Sequence, residues 1–137
     1  MKASDMAFLM KALSGDPLSE MIDMERRMCF EPIEVDSVPW YTSADWRASL
    51  VSRRDEYVRI VAIMAKTPRN GAFKRLMHGI VMEGKTPFVV EPFRDMTQIL
   101  VHWGWRQMQW PKPYEHIAWT PRDGWSAGIR AAALKGV

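Results

Sequence analysis

The stretch YVRIVAIMAKTPRNGAFKRLMHGIVMEGKTPFVVEP, residues 57–92, decides the fold. Val58, Ile60, Val61, Ile63 and Met64 crowd apolar, mostly β-branched side chains too closely for a one-faced helix, so Tyr57–Ala65 is expected as a central strand covered on both faces. Thr67-Pro68-Arg69-Asn70-Gly71 reads as a turn by its Pro and Gly content. Ala72–Glu83 follows as a helix with Phe73, Leu76, Met77, Ile80 and Val81 inward, closed by Gly84. Pro87–Glu91 is a second short strand, and Asp95–Gln107 a second helix with Met96, Ile99, Leu100 and Trp103 at helical spacing. This order predicts a βαβα unit with two parallel, adjacent strands, because a right-handed helical crossover returns the chain to the same sheet.

Upstream, residues 4–13 read as a short helix with Ser4 as cap and Gly15 beyond its end. A second helix runs from about Pro17 to Cys29, with Asp16 as cap and Pro17 at the first helical position. Together they predict a helical hairpin over about 4–29. Glu31–Trp40, with Pro32 and Pro39, is an extended connector or an edge strand. Ala44–Arg54, preceded by Ser43, is expected as a helix, with a strand as the alternative. Downstream of Pro111 and Pro113, Tyr114–Thr120 supplies a last strand and Ser126–Val137 a frayed helix. The fold class is α/β of mixed α+β character, in one domain spanning 1–137.

Of the 137 residues, 47% are hydrophobic and 26% charged, a globular balance in which no apolar run approaches the roughly 20 residues of a membrane span. No membrane is expected as a partner. An N-terminus with Asp5 and no uninterrupted apolar segment does not resemble a secretory signal, so a cytoplasmic location is expected. Cys29 is the only cysteine, which excludes an internal disulfide. His78, His102 and His116 lack metal-ligand spacing, and no metal is expected. Residues 1–36 hold four basic and eight acidic side chains, and the remainder fifteen basic against eight acidic. A basic surface of this kind suits phosphate-bearing partners, whether nucleic acid or a phosphorylated cofactor. Gly-x-Ser-x-Gly and Gly-x-x-x-x-Gly-Lys-Ser/Thr are both missing, which removes serine-hydrolase and P-loop chemistry.

In a parallel βαβα unit ligands bind at the carboxyl ends of the strands, where a helix N-terminus offers unpaired N–H groups to an anion. The turn before Ala72–Glu83 occupies that place. Arg69 supplies positive charge, Gly71 allows close backbone approach, small Ala72 opens a helix whose dipole points at the turn, and Lys74 and Arg75 add further charge, a combination suited to a diphosphate. Strand 57–65, the Arg69-Asn70-Gly71-Ala72 turn, strand 87–91 and a helix ending in Gly104-Trp105 come in an order that resembles the acyl-coenzyme-A-binding half of the Gcn5-related N-acetyltransferase (GNAT) superfamily, over about residues 57–106. The resemblance implies a GNAT-like mixed sheet, a reduced front half and a pyrophosphate held by Arg69, Asn70, Gly71, Ala72 and Lys74. It implies acetyl-CoA or another acyl-CoA as donor and an amine as acceptor. It also implies parted strands that expose backbone N–H groups near Met64, Ala65 and Lys66 to the acyl carbonyl. The turn is one residue tighter than the family's Arg/Gln-x-x-Gly-x-Gly/Ala, and Leu100 stands where many members carry a tyrosine acid.

On that reading a general base lies near the strand ends, with Glu91, His78 and His102 as candidates in that order. Trp103, Trp105, Trp110, Trp119 and Trp125 are interleaved with Arg106, Lys112, Arg122 and Arg130. Such interleaving serves core packing, or stacks and holds nucleic acid, or makes a protein or subunit interface, including a homo-oligomer. An acyl-CoA-dependent N-acyltransferase-like protein is therefore the first expectation. A non-catalytic binding or assembly protein, using the Trp/Arg-rich C-terminal face against protein or nucleic acid, is the alternative.

Overall fold

A computed structural model describes residues 16–67, 69–113 and 116–135. The helix expected over 4–13 lies outside them. The chain opens with α1 (Asp16–Arg27), then β1 (Glu31–Pro32), β2 (Trp46–Arg54), β3 (Tyr57–Ala65), α2 (Ala72–Met82), β4 (Thr86–Val90), α3 (Arg94–His102), β5 (Arg106–Gln109), β6 (Ile117–Thr120) and α4 (Asp123–Lys135). The six strands form one mixed sheet in the order β1-β2-β3-β4-β6-β5. Only β3 and β4 pair in parallel; β1–β2, β2–β3, β4–β6 and β5–β6 are antiparallel. No described helix is long and apolar enough to cross a membrane.

β3 forms where its apolar run demands, in the middle of the sheet. Val58 and Ile60 point to one face, where Leu76, Met77 and Ile80 of α2 and Leu100 of α3 close the main core. Ala62 and Met64 point to the other, against Leu50 of β2 and Met21 and Ile22 of α1. The strand is covered on both faces, as its composition predicts.

Two departures bear on the site. The expected helix over Ala44–Arg54 is instead β2. Its residues pair with β3 from Trp46↔Ala65 to Arg54↔Tyr57 around a two-residue turn in which Asp55 takes φ 53°. Strand preference is set by the neighbouring strand and by burial on both faces, and here β3 supplies the ladder. The helix expected over Asp95–Gln107 ends at His102, because Gly104 adopts φ 77° and turns the chain into β5. There the Gly104 and Trp105 amides donate to Val101 O and Leu100 O, both at 3.0 Å.

A bulge interrupts the β2–β3 ladder. Val51 pairs with Ile60 and Leu50 with Ala62, leaving Val61 as an extra residue, and Val61 and Ala62 consequently pack on the same, α1-side cluster. On the other edge of β3, pairing with β4 runs from Tyr57↔Thr86 to Ile60↔Val89 and then stops. β4 continues alongside β6, with Val90 opposite Ala118, while residues 61–65 of β3 stay with β2. The two parallel strands therefore part immediately beyond the bulge.

Candidate functional site

The parting of β3 and β4 leaves a notch whose inner edge is the backbone of β3. Thr86 N donates to Glu56 O at 2.7 Å, so Glu56, Val58 and Ile60 direct their polar groups toward β4. The extra residue at Val61 reverses that phase. Lys66 N donates to Asp45 O at 2.9 Å, toward the β2 side, so by alternation Ala65 and Ile63 face the opened side. Of the three expected backbone donors, the Lys66 amide is thus engaged, Met64 buries its side chain against α1, and Ala65 is the one whose amide faces the notch.

At the same end of β3 the chain turns into α2. Arg69 takes φ 64° and Gly71 φ 84°, two left-handed residues that swing the backbone into the helix with Gly71 as its N-cap. Asn70 Oδ1 accepts from Ala72 N at 3.2 Å, capping one of the free first-turn amides. Those of Phe73 and Lys74 have no partner within the helix, as in any first turn. Arg75 braces the turn from below: Nη1 donates to Asn70 O and Nη2 to Asp45 Oδ1, both at 2.7 Å. Arg75 is hence occupied structurally, whereas the side chains of Arg69 and Lys74 are exposed. Residue by residue, Arg69, Asn70, Gly71 and Lys74 are exposed at this turn, whereas the Ala72 side chain is buried in the main core.

The candidate bases are not gathered there. Glu91 immediately follows β4 at the parted end of the strands, exposed, at φ 41°, its amide donating to Ile117 O at 2.8 Å. His78 lies on α2, half-buried edge-on to Trp125 with ring centroids 6.3 Å apart. Partial burial, and then the neighbouring Lys74, hold its pKa below the usual histidine value, so it is neutral at pH 7. His102 is exposed in the last turn of α3. Leu100 is fully buried in the main core and offers no acid.

The tryptophans divide. Trp103, Trp105 and Trp125 pack on one another, with Trp103 and Trp125 stacked at 5.4 Å and Trp105 against Trp125 at 5.1 Å. Trp110 lies on the opposite face of the sheet, over the Arg59 guanidinium at 4.4 Å. Of the five, Trp105 is buried, while Trp103, Trp110, Trp119 and Trp125 stay partly exposed.

Sequence reasoning missed three features. The Asp45–Arg75 brace joins residues thirty positions apart. Trp40 crosses α2 at Gly79, where a Cβ would stand 2.1 Å from the Trp40 Cβ. An open groove of about 700 Å³ separates α2 from α4, with Lys74, His78, Trp103 and Trp125 among its lining residues. The spacing of Gly124, Gly128 and Ala132, small residues that line the groove between Trp125 and Ile129 on α4, was the available signal for it. Among the described residues no group of histidine, cysteine and carboxylate side chains is arranged to hold a metal.

No protein family, curated protein or solved structure matches this chain.

Proposed function

We propose that this protein is an acyl-CoA-dependent N-acyltransferase-like protein, transferring an acyl group, acetyl in the simplest case, to an amine. The observation that carries the reading is the parallel β3–β4 pair that parts just after a bulge at Val61, with the left-handed Arg69–Gly71 turn and the α2 N-terminus beside the opening. The strand order β1-β2-β3-β4-β6-β5, with one parallel pair at its centre, supports a GNAT-like arrangement.

The residues present fit the donor. Gly71 has no Cβ to hold a diphosphate off, and the first turn of α2 directs its amides and dipole outward. Arg69 and Lys74 supply charge, while Arg75 keeps the Asp45 carboxylate paired and away from an incoming anion. Bound there, acyl-CoA would supply an activated thioester. The Ala65 amide, facing the notch, is placed to polarise its carbonyl oxygen. Amine nitrogen then bonds to the carbonyl carbon, the carbon–sulfur bond breaks, and thiol and amide are released. Glu91 at the parted end of the strands is positioned to take the amine proton. With Leu100 in the core, the leaving thiolate takes its proton from water.

Calorimetric titration of acetyl-CoA tests this. Micromolar binding that an Arg69→Ala, Gly71→Glu double variant loses is the expected result; no binding at millimolar ligand overturns the reading. Leu100 favours a second reading, in which the scaffold binds without catalysis. The two separate on acyl transfer to a primary amine, which only the first predicts.

A further inference from the structure

The α2–α4 groove begins where the proposed diphosphate turn ends. Lys74, two residues into α2, lies at its rim, and Trp103, which lines it, is stacked on Phe73 of the first turn of α2 with centroids 5.5 Å apart and planes at 12°. From Lys74 through His78 to Met82 the α2 side extends two helical turns, about 12 Å at 1.5 Å per residue. The α4 side is open because Gly124 and Gly128 carry no side chain and have nothing within 4 Å of where a Cβ would stand. Trp103 and Trp125 supply aromatic surface, and among the described lining residues Lys74 is the one charged group and none is a carboxylate. A volume of about 700 Å³ is within the range of small-molecule sites.

This combination selects a flat, largely apolar ring system that carries negative charge at the end nearest the turn. A purely aliphatic ligand would leave Lys74 and His78 without a role, and a polyanion would find a single cation.

We infer that the groove between α2 and α4 receives the phosphoadenosine end of the donor, with the base against Trp103 and Trp125 and the 3′-phosphate at Lys74. This rests on the reading of the Arg69–Ala72 turn as the diphosphate site. The adenosine then leaves the turn along α2, away from the notch, and the site takes a nucleotide-tailed thioester in preference to a bare phosphopantetheine one. His78, neutral at pH 7, is available to accept or donate a hydrogen bond to the base.

In the test Gly128→Leu fills the groove without touching the turn, and Lys74→Ala removes the charge that groove and turn share. Gly128→Leu projects a side chain into open space from a helical position, and leucine is the better helix former there, so the variant folds. Its fold is checked by circular dichroism. Coenzyme A, 4′-phosphopantetheine and adenosine 3′,5′-bisphosphate are each titrated into the wild type, Gly128→Leu and Lys74→Ala, followed by calorimetry and tryptophan fluorescence.

The inference expects Gly128→Leu to weaken coenzyme A at least tenfold and leave 4′-phosphopantetheine unchanged, with adenosine 3′,5′-bisphosphate quenching tryptophan fluorescence in the wild type only. Coenzyme A binding equally well to wild type and Gly128→Leu overturns the inference and leaves the proposed function standing. If neither coenzyme A nor 4′-phosphopantetheine binds the wild type, the proposed function fails. In that case adenosine 3′,5′-bisphosphate binding that Gly128→Leu abolishes keeps the groove as a nucleotide site, and its absence overturns the inference as well.

Discussion

The two faces of the sheet handle charge in opposite ways. On the α1 face, Glu25 and Arg59 form an ion pair with only 2% and 1% of their side chains exposed, Arg59 Nε reaching both carboxylate oxygens at 2.9 and 3.1 Å. Ser52 donates to the same carboxylate at 2.8 Å, and Phe30 and Trp110 cover the guanidinium. On the α2 face, Lys74 projects from a helix N-terminus beside an open groove and no described ion pair takes it up. Full desolvation of a charge is tolerable only when its partners are fixed, so the first cluster serves the fold. Charge left in water beside aromatic surface costs the fold little and remains available to a ligand. The comparison teaches that in this chain the most buried polar residues are the wrong place to look for function.

The comparison breaks most directly at Arg59. Arg59→Leu leaves Glu25 buried without its partner and is expected to cost about 3–5 kcal/mol, whereas Glu25→Leu, Arg59→Met together recovers most of that loss. Denaturant midpoints of the three proteins check it; a single variant as stable as wild type would show that water already reaches the pair. Next in size is Gly79→Ala, whose Cβ meets Trp40 Cβ, expected to cost about 1–3 kcal/mol and to be relieved when Trp40→Gly, which removes that Cβ, is combined with it.

His116 sharpens the contrast by pH. Its burial, and then the nearby Arg59, push its pKa down from 6.5 to about 4. The unfolded chain takes up this proton at a higher pH than the folded one, so the contribution is intact above about 6.5 and is lost progressively as pH falls toward about 4. Thermal melts from pH 7.5 to 4 should show a fall of several degrees that His116→Phe reduces. The smallest effect belongs to the turn: Asp45→Asn removes a partly exposed pair and is expected to cost less than about 1 kcal/mol in a denaturant titration. The same variant should tighten any anion at Arg69–Lys74, because Arg75 is freed.

The sequence makes the centre of the fold legible and its margins obscure, for a physical reason. β3, α2 and β4 are stretches whose own apolar spacing matches the structure they adopt, down to Tyr57–Ala65 as the strand and Ala72 as the helix start. β2 is different. Ser49, Ser52, Arg53 and Arg54 read as a polar helix face, and only a residue 27 positions away in sequence, Glu25, explains why Ser52 is buried. The turn was legible as a local motif from its proline and glycine, although it is Arg69, not Asn70, that joins Gly71 in the left-handed region. The groove was not, because it exists only once α4 lies across α2.

The sheet's two edges have a consequence of another kind. One border is β1, a two-residue strand containing Pro32; the other is β5, a four-residue strand followed by Pro111 and Pro113. The β5 border therefore presents little backbone to which a foreign strand could add, whereas β1 pairs with only Ser52 and Arg53 and leaves most of the nine-residue β2 without a neighbouring strand on that side among the described residues. In a crowded, newly synthesised population, template-driven stacking would therefore start at the outer edge of β2 rather than at β5.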